Sequence, residues 1–129
     1  MGESVVILYV LVGGIIGTLG RWYLGTWIQT SSGAGPFPLG TLLINLSGSL
    51  VLGFVARLGA DGTLLSPETR AGLAVGLCGS FTTMSAFSFE SVRLIGEGDY
   101  VRAAVYIGGT ILGCLGAVVL GSAVAARVM

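Results

Sequence analysis

Four apolar stretches, at about residues 5–27, 39–58, 67–95 and 100–128, take up nearly all of this chain. Each is long enough to cross the hydrocarbon core of a bilayer, which takes about 20 apolar residues as a helix. Lipid offers no partner for backbone N–H and C=O groups, so a segment that spans it satisfies them internally, as an α-helix does. The reading is an all-α fold, a single transmembrane domain over residues 1–129 with four transmembrane helices. Composition agrees: 53% of the 129 residues are hydrophobic and only 9% are charged, against roughly 25% in soluble domains.

The flanks punctuate these spans. Arg21, Trp22, Tyr23 and Trp27 close the first one with a snorkelling cation and an aromatic belt. Residues 29–38, rich in Ser, Gly and Pro, read as a loop. Ser66-Pro67-Glu68 predicts a helix start, with a capping hydroxyl, proline at the first position and an acid in the first turn. Glu90 and Arg93, three residues apart, are expected to pair on one face, and residues 96–99 form a turn. Much of the glycine falls at small-xxx-small spacing (Gly13 with Gly17, Gly72 with Gly76, Gly109 with Gly113), which predicts close helix crossings.

Several functions are excluded early. The chain has no His, and Cys78 and Cys114 both lie inside apolar segments, so neither a zinc site nor a disulfide framework is expected. The net charge is zero, and six scattered Arg with no Lys make no basic stripe for nucleic acid. No general acid, nucleophile or metal-ligand set stands out, so an enzyme is not expected. With four spans, Arg57, Arg70 and Arg127 fall on one face of the membrane and Arg21, Arg93 and Arg102 on the other. Orientation follows such residues, and an even split predicts insertion both ways.

Polar side chains inside a span are costly and usually face a bundle interior or a water-filled path. Thr41, Asn45 and Ser49 recur every four residues on the second span, and Tyr106, Thr110 and Cys114 on the fourth, each set sharing one stripe. Asn45 can join helices or donate to a passing solute; the stripe leaves both readings open. The densest cluster, residues 76–88, includes Gly76, Gly79, Ser80, Thr82, Thr83, Ser85 and Ser88, a poor continuous helix. It predicts a broken third helix, of the kind that exposes carbonyls and half-helix ends to ions.

Three segments, Gly17-Thr18-Leu19-Gly20-Arg21-Trp22-Tyr23, Gly40-Thr41-Leu42-Leu43-Ile44-Asn45 and the 76–88 cluster, resemble the CrcB/Fluc family of fluoride channels. The likeness covers nearly all of the chain. It implies an antiparallel dual-topology homodimer in the inner membrane of a bacterium, with two fluoride pores lined by both subunits and lipid around them. It also implies a structural sodium ion at the dimer centre, held by backbone carbonyls of Gly79 and Thr82. Asn45 matches the family's pore asparagine and Arg21 its entrance arginine. Phe87, Met84, Thr83, Ser85, Thr41, Tyr106 and Thr110 fall along the implied pore, and Glu90 joins Arg21 in a vestibule. The likeness departs at Ser80, where the family usually has glycine, and at Met84, where it usually has phenylalanine. Phe87 keeps the second ring.

Fluoride is small and strongly hydrated, so a pore must replace its water with donors in a narrow space, at several weak sites. A phenyl edge is electropositive and can face an anion without trapping it. Two other readings share the length: one subunit of a heterodimeric fluoride channel, and a small dual-topology proton-coupled exporter. The exporter needs an embedded carboxylate on the first helix, and none lies between Glu3 and Arg21.

Overall fold

The computed structural model describes residues 2–60, 62 and 64–129. Among them there is helix and no strand. Helix α1 is Gly2–Ser31 and α2 is Leu39–Leu58; α3 (Pro67–Ala71), a π-helical stretch (Gly72–Cys78), α4 (Gly79–Phe81) and α5 (Met84–Gly96) follow, and α6 is Tyr100–Val128. Four helical runs, Gly2–Ser31, Leu39–Leu58, Pro67–Gly96 and Tyr100–Val128, are long and apolar enough to cross a membrane.

Local chemistry sets the ends. Helix α1 runs on to Ser31 instead of yielding to loop at Gln29, and the Thr30 hydroxyl turns back to Thr26 O and Trp27 O. Ser66 accepts from the Thr69 N–H, with Pro67 behind it, as the sequence predicts. Asp99 caps α6 by accepting from the Arg102 N–H and pairs with its guanidinium at 2.6 Å. That bond holds the Asp99 carboxyl below its ordinary range.

Packing rests on absent side chains. A methyl added at Gly13 would strike Gly72 O and one at Gly17 would strike Leu77 O, so α1 lies backbone to backbone on the π-helical stretch. Helices α2 and α6 meet in the same way, but through Gly53 against Val118 O and Gly121 against Leu50 O. The expected pair is not the contact: Gly109 faces open space and Gly113 touches only the Leu46 side chain. Spacing identifies small residues that can sit at a crossing; the register between two helices selects which ones do.

Little of the chain is buried in itself. Tyr106, Ile44 and Leu94 are the largest fully enclosed side chains, whereas Ile15, Trp22, Leu112 and Val119 stand out on helix surfaces. Leu94, Ala103 and Tyr106 form a buried cluster at the α5–α6 junction, with Phe37, Leu42 and Phe87 packed around it.

Candidate functional site

The third span changes character in its middle. Seven residues, Gly72–Cys78, wind as a π-helix, which at such length marks a local departure from regular packing. Helix α4 ends at Phe81; Thr82 (φ −83°, ψ 157°) and Thr83 (φ −147°, ψ 114°) are extended, and α5 begins at Met84. Two threonines suit this turn. The Thr82 hydroxyl and N–H both donate to Cys78 O at 3.0 Å, closing α4, and the Thr83 hydroxyl accepts from the Ala86 N–H at 3.2 Å, opening α5.

Asn45 holds the second residue of the extended pair. Its Oδ1 accepts from the Thr83 N–H at 2.7 Å and its Nδ2 donates to Thr83 O at 3.1 Å, so one amide replaces both backbone partners that Thr83 lacks. Asn45 is buried, as a group with this task should be. Of the two uses the stripe left open, the joining of helices is the one observed.

Two open-sided cavities flank this pair. The larger, about 630 Å³, is walled in part by Arg21, Gln29, Thr41, Thr83, Glu90 and Arg93. The smaller, about 370 Å³, is walled in part by Asn45, Ser49, Thr82, Thr83, Met84, Phe87 and Thr110. Thr83 is the one residue on both walls.

In the larger cavity Glu90 is held by its neighbours: Oε1 accepts from the Thr41 hydroxyl at 2.9 Å and Oε2 from the Tyr106 hydroxyl at 2.6 Å. It makes no pair with Arg93, whose Nη2 reaches instead to Pro36 O at 3.1 Å; helical spacing permits that pair, but two hydroxyls and a loop carbonyl satisfy the groups separately. Arg21 donates from Nε to Ser80 O at 3.1 Å, which places a cation near the end of α4 where carbonyls run out of donors.

In the smaller cavity the Thr110 Oγ1 is buried with no hydrogen-bond partner among the described residues. The Phe87 ring shares that wall and packs on Tyr106, centroids 5.5 Å apart at 45°. Met84 lines the same cavity yet is 73% exposed.

The sequence-derived set therefore separates into two layers. Arg21, Thr41 and Glu90 lie on the larger cavity, with Tyr106 enclosed behind Glu90; Asn45, Met84, Phe87 and Thr110 lie on the smaller. Ser85 lies on neither wall, its hydroxyl 3.2 Å from that of Thr83, and Gly79 is exposed on the outer surface. Gln29, Phe37 and Arg93 stand in no motif that marks them as site residues. A glutamine and a phenylalanine inside a Gly/Pro-rich loop were the available signal. No group of three His, Cys, Asp or Glu is placed to hold a metal among the described residues.

A sequence model of the family described as "CrcB-like protein, Camphor Resistance (CrcB)" matches residues 8–122. The chain is 38% identical over 115 residues to a protein of Chlorobium chlorochromatii named fluoride-specific ion channel FluC, covering 89% of this chain and 88% of that one. A protein of the same name from Sorangium cellulosum is 43% identical over 118 residues, covering 92% of each chain. One from Thermus thermophilus is 44% identical over 104 residues, covering 81% of this chain and 80% of the other.

Proposed function

The chain belongs to the CrcB family, and from that premise we propose that it is a fluoride-selective channel, a multi-pass membrane protein through which fluoride leaves a bacterial cell across the inner membrane. The family is one of ion channels, not of enzymes. The observation that carries the reading is the orphan hydroxyl of Thr110 in a cavity that also presents Phe87 and the Asn45 amide. A buried O–H left without an acceptor costs about 1–3 kcal/mol. A small, strongly accepting anion removes that cost, and no fixed charge on the wall holds it back from leaving.

The ion path runs from the larger cavity to the smaller across Thr83. Arg21 and Arg93 raise the local anion concentration at the mouth. Glu90, fixed by Thr41 and Tyr106, keeps that mouth from becoming an anion trap. Inside, water around the ion is exchanged for the Thr110 hydroxyl, the amide of Asn45 and the positive edge of Phe87. Ser85 shapes the break through Thr83 rather than by lining the path.

Both cavities are open-sided, and Met84 and Gly79 are exposed, which supports an antiparallel dimer in which a second copy completes two pores. The even arginine split supports dual insertion. A structural sodium ion fits the break. The Thr83 N–H that would close on Gly79 O in a continuous helix is given to Asn45, which leaves Gly79 O free for a hard cation. Gly79 and Thr82 carbonyls from two copies would hold it, and its charge would fix the two breaks together.

Liposomes containing only this purified chain test the proposal. Fluoride efflux should be fast and chloride efflux barely above that of empty vesicles; comparable rates for the two would overturn the function. A tag on the C-terminus should be cleavable from both sides of the membrane, and a single orientation would defeat the homodimer. Prolonged replacement of sodium by a bulky organic cation should lower both dimer content and efflux. If neither changes, the sodium site is wrong.

A further inference from the structure

We infer that Gln29 is a positioning residue for conduction, setting Glu90 at the pore mouth through Phe37 and Tyr106; the inference rests on the channel reading above. Helix α2 begins after Pro38, which supplies no side-chain cap, so the N–H of Gly40 in its first turn needs an outside acceptor. Gln29 provides it from eleven residues upstream, Oε1 to Gly40 N at 3.0 Å. Its Nε2 donates to Gly35 O at 3.1 Å and to Phe37 O at 3.0 Å. With both amide protons and the oxygen engaged, Gln29 acts as a clamp on the α1–α2 loop and not as an ion ligand, although it stands on the cavity wall.

What the clamp fixes is Phe37. Its ring meets that of Tyr106 edge-on, centroids 5.8 Å apart at 83°. Tyr106 is thus in contact with both Phe37 and Phe87, and its hydroxyl is one of two that fix Glu90. Loosening the loop lets Tyr106 turn, and Glu90 then loses the short bond that keeps its charge in place. Phe37 itself lies on neither cavity wall, so it reaches the ion only through Tyr106.

The test is the unitary fluoride current of the full-length channel in planar bilayers, because loss of folded protein lowers the number of channels and not the current of each. Gln29→Leu keeps bulk and removes all three hydrogen bonds; Phe37→Leu removes the ring edge and leaves the clamp. Each should lower the unitary current roughly 2- to 30-fold, the range for residues that act through others. The double variant should fall no further than the weaker single, since both act on one chain of contacts. The inference is overturned if wild type conducts and both variants carry its current, or if the two reductions multiply. If Gln29→Leu fails to assemble, Phe37→Leu decides alone, and an unchanged current in it is a refutation. A wild type without fluoride current would instead strike the proposed function.

Discussion

Asn45→Asp is expected to abolish fluoride flux and to lower the thermal stability of the purified protein at the same time. Asparagine meets Thr83 with one acceptor and one donor, at 2.7 and 3.1 Å. Aspartate keeps the acceptor but turns the donor into a second acceptor facing Thr83 O. It also places a negative charge where the side chain is 7% exposed. Breaking a buried arrangement so that a charge is left unpaired costs about 3–5 kcal/mol, and the same charge repels an anion in a low-dielectric passage. Efflux from liposomes and thermal unfolding in detergent measure the two effects separately. Lost flux with unchanged stability would confine Asn45 to contact with the ion; normal flux would remove it from the path.

This coupling shows what a sequence of this type discloses and what it withholds. Apolar run length and the Ser66-Pro67-Glu68 start follow from single-segment physics, and four apolar helices with that cap are found. The hydroxyl stripes were legible as stripes, but not as two layers. Four residues advance a helix by about 6 Å, enough to carry Thr41 to the larger cavity and Tyr106 to the Glu90 behind which it is enclosed, and Asn45 and Thr110 to the smaller cavity. Nothing in the spacing says where the wall between them falls, because that wall is Thr83 from another span.

Pairings that depend on inter-helix register were hidden for the same reason. Glu90 and Arg93 have the right separation to pair, yet each has a partner reached only through the fold. Gly53 and Gly121 carry the α2–α6 crossing, although it is Gly109 and Gly113 that stand as a glycine pair at small-xxx-small spacing on α6. Gln29 sits in a segment whose composition reads as loop, and its three bonds depend on where residues 35–40 fold back.

Phe87→Ile is expected to lower fluoride flux by at least about tenfold, equivalent to ~1.4 kcal/mol on the barrier, while leaving a folded protein. The substitution keeps apolar bulk against the Leu94, Ala103 and Tyr106 cluster, so the packing loss is bounded. It removes the ring quadrupole from the wall that also carries Asn45 and Thr110. The tilted contact with Tyr106 at 5.5 Å goes as well, and an aromatic pair is worth about 0.5–1.5 kcal/mol. A modest drop in unfolding temperature should therefore accompany the loss of flux. Met84→Phe supplies the opposite test. Met84 opens α5, is 73% exposed and lines the same cavity, so a ring there meets no packed neighbour within the chain and adds a second electropositive edge. Flux in Met84→Phe should equal or exceed wild type, and in the combined Phe87→Ile, Met84→Phe variant it should recover in part. Wild-type flux in Phe87→Ile would remove the ring from the mechanism. Full loss in both Phe87→Ile and the combined variant, with both folded, would show that the position of Phe87, and not merely a ring on that wall, is what the ion requires.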